Sequence, residues 1–345
     1  MVAETLLGAA GAALALWGAA GLAARARARR AEAEAPPLGR MLDVAGARIH
    51  AWEAGEGPPV VLLHGASGNL RDFTFDLAPR LARRFRIIAF DRPGLGHSGQ
   101  LPGYGPHRLA GESPPEQART LAAAARSLGV ERPIVLGHSY GGAVALAWAL
   151  EAEAAGLVLL GAVSNPWPGG LGLAYHLPAS RLGALLAVPP IAAALPRGRL
   201  EEMVSRTFTP NRAPPGYAAY LGAGLALRPR ALVANARQLT SLYPHVVAMA
   251  QRYAAEISCP VEILHGAEDR IVPPEIHAKP LAGQIAGARL TLLPDTGHMP
   301  HHAAPRRTEA AVLRVARAAG LRPGPLPPIV SRPIRRAPDT KVERP

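Results

Sequence analysis

The sequence predicts an α/β chain, a mainly parallel sheet with helices on both faces. Short apolar runs of the buried-strand kind recur at residues 60–63, 87–90, 134–136, 157–160, 261–264 and 290–293. Helix-forming stretches, such as residues 115–128 and 142–153, lie between them. Strands alternating with helices require crossover connections, which are right-handed, and a parallel sheet covered on two sides.

The elements divide the 345 residues into segments. Residues 1–30 contain an uncharged run, 5–24, rich in Ala, Leu and Gly, followed by Arg25, Arg27, Arg29 and Arg30. Twenty helical residues reach about 30 Å, the thickness of a bilayer's hydrocarbon core. A cleaved signal peptide has a basic start and a shorter apolar region; here Glu4 precedes the run and the arginines follow it. The reading is a single membrane anchor with the N-terminus outside and the rest of the chain on the cytoplasmic side, by the positive-inside rule. Export after signal cleavage, or a buried amphipathic helix, is the alternative. Residues 31–40 read as a linker ending in Pro36-Pro37. Residues 41–44 and 48–53 read as two short strands turning at Gly46. One core half is assigned to 40–163 and the other to 255–320. Residues 164–254 lack strand patterning and hold Ala/Leu-rich helical pieces broken by prolines, which reads as a helical cap between two strands. Residues 321–345 are rich in Pro and Arg and read as a disordered tail.

Nearly half the residues are apolar, enough for a large core. The net charge of +13 is an arginine surplus, since Lys279 and Lys341 are the only lysines. No basic stretch is interleaved with base-stacking aromatics, so nucleic acid is not an expected partner. Cys259 is the single cysteine, which excludes an internal disulfide and a cysteine-based metal site. No phosphate loop or dinucleotide fingerprint is present, and neither a metal nor a cofactor is expected. Oligomeric state is not legible.

The chemistry gathers at strand ends. Gly137-His138-Ser139-Tyr140-Gly141 is a Gly-x-Ser-x-Gly pentapeptide, roughly a one-in-ten chance event in a chain with 36 glycines. Its setting gives it meaning: a strand at 134–136, a sharp turn, then a helix-forming run. Ser139 would stand exposed above the sheet at the positive end of a helix. A serine hydroxyl needs a base, and the base an orienting acid. Asp269 follows the run 261–264 and His298 follows 290–293, each just past a strand, on the edge where open α/β sheets place their sites. Glu268 and Asp295 are rival acids, and His301 and His302 rival bases, the last two better suited to surface or helix-start roles. An oxyanion needs two N–H donors; Tyr140 N–H, next to the nucleophile, and Ala66 N–H, in the loop 64–68, are the candidates, with Ser67 as neighbour. His64 reads as a buried turn residue. Asp91, in Asp91-Arg92-Pro93-Gly94-Leu95-Gly96, reads as structural. Trp167, Tyr175, Phe208, Tyr217 and Tyr220 are candidate pocket-wall residues, each equally suited to the cap's own core.

His64-Gly65, Asp91-Arg92-Pro93-Gly94 with Gly96, the serine pentapeptide, Gly266 with Asp269, and Gly297-His298 occur in an order that resembles the α/β-hydrolase superfamily over roughly residues 40–320. The relevant group holds bacterial esterases, haloperoxidase-like enzymes, carbon–carbon hydrolases, haloalkane dehalogenases and epoxide hydrolases. The resemblance implies an eight-stranded sheet with an antiparallel second strand and a helical cap after the sixth. It implies a triad of Ser139, Asp269 and His298, with Ala66 and Tyr140 as oxyanion donors. Serine at the elbow argues against the dehalogenases and epoxide hydrolases, which carry aspartate there. The expected activity is hydrolysis of an ester-type, small, lipophilic substrate through an acyl-enzyme. The alternatives are a carbon–carbon hydrolase, for which Arg181, Arg206, Arg212 and Arg237 of the cap would hold a carboxylate, a perhydrolase, and a membrane-tethered accessory protein without turnover.

Overall fold

A computed structural model describes residues 2–105 and 107–325; most of the Pro/Arg-rich tail, 326–345, lies outside the described residues. Eight strands form one sheet: β1 (Arg40–Val44), β2 (Ala47–Ala54), β3 (Pro59–Leu63), β4 (Arg86–Phe90), β5 (Ile134–His138), β6 (Gly156–Leu160), β7 (Val261–Gly266) and β8 (Arg289–Leu293). Their order is β1-β2-β4-β3-β5-β6-β7-β8. β2 runs antiparallel to both neighbours, and every other pairing is parallel.

The central strands are apolar without alternation because both faces are covered. Val61, Leu63, Ile88, Phe90, Val135, Leu157 and Leu159 enter one core with the helices Pro114–Ser127 and Tyr140–Glu151. Their neighbours Val60, Leu62, Ile87, Ala89, Ile134, Leu136, Val158 and Leu160 enter the other, against Leu77, Leu81, Val312 and Val315. The period of two in a strand thus feeds two cores from one run. Helix Pro114–Ser127 starts where its sequence says it should. Ser113 Oγ accepts from Glu116 N–H while Glu116 Oε2 accepts from Ser113 N–H, and prolines fill the first turn.

Parallel register brings Leu63, Gly137 and Leu159 into line, and His138 beside Leu160. The segments after β3, β5, β6, β7 and β8 therefore emerge on one edge. Between β6 and β7 the chain folds as short helices, from Leu173–Ala179 to Tyr253–Glu256, lying over that edge.

The N-terminal helix runs without a break from Val2 to Glu34. Residues 31–34, read as linker, continue it, and Ala35 is buried. The reason is packing: the C-terminal half lies along the helix Val188–Ala194 and the 3₁₀ turn Ala223–Leu227. The glycines of that turn allow close approach, Gly224 presenting its α-carbon to Ala31 and Gly222 to Ala35. The stretch Leu7–Glu34 has the length and composition to cross a membrane.

The helix after β5 closes on β3 without clearance. A Cβ on Gly141 would lie 2.1 Å from the Leu63 carbonyl oxygen, so Gly141→Ala is expected to lower stability by about 1–3 kcal/mol. A thermal midpoint unchanged from the parent chain would refute this.

Candidate active site

Ser139 sits between β5 and the helix Tyr140–Glu151 with φ 54° and ψ −119°. A non-glycine residue pays about 1–3 kcal/mol for such a backbone. The surroundings hold it there. Ser139 N–H donates to Leu160 O (3.0 Å), and Ser139 O accepts from Gly142 N–H (2.9 Å) and Val163 N–H (3.1 Å). Only glycine fits on either side, since a Cβ on Gly137 would meet Gly141 O at 2.2 Å. The Tyr140 N–H belongs to the first helical turn, where position denies it an intrahelical acceptor.

Asp269 and His298 meet. His298 Nδ1 lies 2.7 Å from Asp269 Oδ2, and both side chains are buried. Oδ1 of Asp269 accepts from the N–H groups of Ile271 and Val272, each at 2.9 Å. His265, on β7, adds a contact of 3.2 Å to Oδ2 while donating to Val272 O at 2.7 Å. Burial opposes ionisation of Asp269, but hydrogen bonds from His265 and His298 prevail and hold its carboxyl well below the usual carboxylate range. The rivals fall away on position: Glu268 and Asp295 are exposed.

The pair stands beside the elbow. Gly161 follows β6, bonded to the Ser139 strand on one side. A Cβ there would lie 3.3 Å from Asp269 Oδ2 and 3.4 Å from His298 Nδ1. The ring of His138, one residue before Ser139, is 4.8 Å from that of His298, and its Nε2–H donates to the His298 carbonyl at 2.8 Å. Burial, then the neighbouring His301 and His298, hold His138 far below the usual histidine range, so it stays neutral and keeps this donor tautomer.

Across the elbow lies the loop 64–68. A Cβ on Gly65 would touch Ser139 Cβ at 3.2 Å, which places Ala66 at the serine's side. His64 is a buried turn residue, its Nδ1 bonded to Gly65 O (2.8 Å) and its Nε2 accepting Arg92 N–H (2.9 Å). Burial, and then Arg92, lower its pKa to about 4. Ser67 has φ 55°. Its N–H is taken by Asn235 Oδ1 (2.7 Å), from the cap helix Pro229–Thr240.

Two residues shape these loops in ways the sequence reading missed or only half saw. Arg92 is fully buried, and burial lowers its pKa to about 10. Its guanidinium donates to the carbonyls of His64 and Gly65 and to Gln117 and Gln238, and stacks 4.3 Å from the Tyr140 ring. One cation thereby fixes both flanks of the elbow. Asp91 accepts from Leu70 N–H and His97 N–H and pairs with His50, a structural set of bonds.

Asp72 gathers the histidines after His298. Its Oδ1 accepts from Tyr217 OH (2.7 Å), His302 Nε2 (2.8 Å) and His301 Nε2 (3.1 Å), and its Oδ2 lies 3.8 Å from His138 Nδ1. His301 and His302 are helix-start residues, in Pro300–Ala303, but they face inward, which corrects their reading as surface groups. Burial raises the energy of the Asp72 anion, yet the attraction and hydrogen bonds of the two histidines keep it far below the ordinary range.

Of the candidate pocket aromatics, Phe208, Tyr217 and Tyr220 cluster around Phe75, while Trp167 and Tyr175 lie elsewhere. Trp167 packs edge-on to Tyr243, 5.1 Å away. Tyr175 is exposed. Phe208 is buried with Tyr217 and Met299, and Tyr220 bonds to Thr74. They serve cap packing and cap attachment. Of the cap arginines, Arg206 pairs with Glu202, Arg181 with His107 O, and Arg237 with Ala179 O and Gly105 O.

The family model for the alpha/beta hydrolase fold matches residues 58–305. The chain belongs to the α/β-hydrolase fold family and is a hydrolase. It is 29% identical over 268 residues, 73% of this chain and 84% of the relative, to a 2-hydroxy-6-oxononadienedioate/2-hydroxy-6-oxononatrienedioate hydrolase of Klebsiella pneumoniae. Among solved structures it resembles an alpha/beta hydrolase fold protein from Burkholderia ambifaria, with 27% identity, TM-score 0.65, and coverage of 80% of this chain and 97% of that one. A thermophilic esterase from Thermogutta terrifontis shares the fold, with 24% identity, TM-score 0.64, and coverage of 81% and 99%.

His64, His138 and His277 are buried with depressed pKa values, His64 and His277 at about 4. Burial is the leading cause for each. The folded state excludes protons that the unfolded chain binds below pH of about 6.5. The stability these groups contribute is complete above that pH and is lost as pH falls toward about 4. The urea midpoint is expected to drop steadily from pH 7 to 4.5; a flat profile would contradict the burial argument.

Proposed function

We propose that the chain is a serine hydrolase of carboxylic esters or related acyl compounds, with Ser139, His298 and Asp269 as its triad. The observation that carries this is the Asp269–His298 pair, joined at 2.7 Å, beside a serine at φ 54°. With Nδ1 committed to Asp269, His298 has Nε2 left to take the Ser139 proton. The serine oxygen attacks the acyl carbon, and the N–H groups of Ala66 and Tyr140 receive the developing oxyanion. His298 returns the proton to the leaving alcohol, then activates water to release the acyl group. Asp269, held ionised, stabilises the imidazolium at each proton transfer. The N-terminal helix, on this reading, anchors the enzyme to a membrane with the catalytic part on the cytoplasmic face, and its substrate is lipophilic.

Ser139→Ala is expected to abolish hydrolysis of short p-nitrophenyl esters and labelling by a fluorophosphonate, and Asp269→Asn to cost about 10⁴-fold in kcat. Labelling of Ser139→Ala at the parent rate would end the assignment. Ala66→Pro, which deletes one oxyanion donor, is expected to cost about 10²–10³-fold in kcat; an unchanged kcat would move that donor elsewhere.

A second reading, carbon–carbon bond hydrolysis, is favoured by the likeness to the Klebsiella 2-hydroxy-6-oxononadienedioate/2-hydroxy-6-oxononatrienedioate hydrolase. The same residues would serve it. Turnover of a vinylogous diketone acid, with esters untouched, would establish that reading over the first.

A further inference from the structure

Large exposed apolar side chains cluster on two neighbouring parts of the molecule. On the N-terminal helix they are Leu7, Leu14, Leu16 and Leu22; on the cap they are Leu173 (84% exposed), Leu177, Leu182 (72%), Leu185, Leu186 and Ile191. The cap residues occupy three consecutive short helices, Leu173–Ala179, Arg181–Leu186 and Val188–Ala194. A soluble monomer rarely presents so much contiguous apolar surface.

The two parts are one rigid unit. Trp17 Nε1 donates to Leu185 O at 3.0 Å. Arg27 donates to Ala193 O and Leu195 O, both at 2.7 Å. Arg197 pairs with Glu34 (2.7 Å) and Arg228 with Glu32 (2.8 Å). The depth that the helix takes in a bilayer is therefore imposed on the cap.

That depth follows from the helix. Leu7 stands about 15 Å beyond Trp17, at 1.5 Å per residue, while Arg25, Arg27, Arg29 and Arg30 lie on its other side. Arginine stays outside the hydrocarbon while the uncharged run 5–24 lies within it, so the boundary falls near Arg25 and Trp17 sits inside it, by about 12 Å of helix at most. A groove of about 780 Å³ on the arginine side of Trp17 is lined by Arg27, Arg30, Arg197 and Arg228 with Glu34 and Glu201. Glu34 pairs with Arg30 and Arg197 and Glu32 with Arg228, so the positive charge suited to anionic lipid comes chiefly from the juxtamembrane cluster Arg25, Arg27, Arg29 and Arg30. Leu182, Leu185 and Leu186, beside Trp17, fall on the acyl side of that boundary.

We infer that the cap face carrying Leu173, Leu177, Leu182, Leu185 and Leu186 is immersed in the interfacial layer of an anionic bilayer, and that the enzyme draws lipid-dissolved esters through it. The first of these helices packs on Pro229–Thr240, whose Asn235 holds Ser67 N–H in the oxyanion loop, so the immersed face adjoins the site. The inference rests on the membrane reading of the N-terminal helix and on the esterase reading of Ser139.

The test uses the full chain with Cys259→Ser, reconstituted into vesicles of phosphatidylcholine and phosphatidylglycerol. Single cysteines from Leu182→Cys, Leu185→Cys and Ser258→Cys carry an environment-sensitive fluorophore; Ser258 is exposed at the opposite edge of the sheet. Blue-shifted emission at 182 and 185, quenched by shallow doxyl-labelled lipid, with water-like emission at 258, is the expected result. Chain that stays on the vesicles with unquenched labels at 182 and 185 overturns the immersion and leaves the anchor standing. Blue-shifted labels that doxyl lipid does not quench overturn it in favour of a second copy covering the face. Chain that does not float with the vesicles overturns both anchor and immersion. The double variant Leu182→Glu, Leu185→Glu is expected to raise KM about tenfold for a vesicle-borne ester, with hydrolysis of a soluble p-nitrophenyl ester unchanged. Equal effects on both substrates would overturn the link to lipid-borne substrate, and loss of the soluble activity in the parent chain would instead indict the esterase reading.

Discussion

The molecule is organised around a turn that it could not hold by local preference. Ser139 occupies a backbone region that non-glycine residues avoid, and it stays there because three backbone segments close on it. Gly141 presses on the Leu63 carbonyl, Gly137 on Gly141, and Gly142 on Ala162. These contacts need β3, β5 and β6 in register, side by side, with both sheet faces sealed by apolar side chains. The two cores are thus more than bulk stabilisation. They supply the rigidity that converts a strained serine into a fixed point, against which Asp269 and His298 are set.

Charge handling follows the same plan. The region near the serine buries Asp72, Asp91, Arg92, Asp269 and several imidazoles. Isolated, such groups would be costly. Each carboxylate instead takes several N–H or O–H donors, and Arg92 spreads its charge over two carbonyls, two amides and a tyrosine face. Few of these partners belong to strands; His64, Gly65, His97, Ile271, Val272 and His298 lie in loops, and the others mostly on helices. The buried polar groups therefore order the segments that hydrophobic burial leaves unspecified.

How much of this the sequence discloses depends on the range of the interaction. The strands were legible because an apolar run bounded by turn residues is a local pattern, and the order of elbow, acid and base could be matched to them. The helix after the elbow begins at Tyr140, two residues before its apolar pattern does, because a glycine pair hides a helical start. The helical continuation through residues 31–34 was read as linker since its support, the cap, is some 160 residues away in sequence. Asn235 and Asp72 escaped notice, and Tyr217 was read only as a pocket or cap-core residue, for the same reason. Each is an ordinary polar residue until the fold sets it beside Ser67, His301 or His302. For the cap aromatics, residue type alone did not separate a pocket wall from cap core; Phe208 and Tyr217 take the second role, packed with Met299.

The polar ties between the cap and the loops around Ser139 and His298 bear on whether the cap is a separable part. Asn235 grips the loop beside the serine, Tyr217 joins the carboxylate that holds His301 and His302, and Asn211 receives the N–H of Gly297. A cap so fastened is not an exchangeable module. Replacing it would remove the partners of Ser67, Asp72 and Gly297 unless those three residues were kept. A substitution within the cap that spares these three residues leaves the fastenings in place.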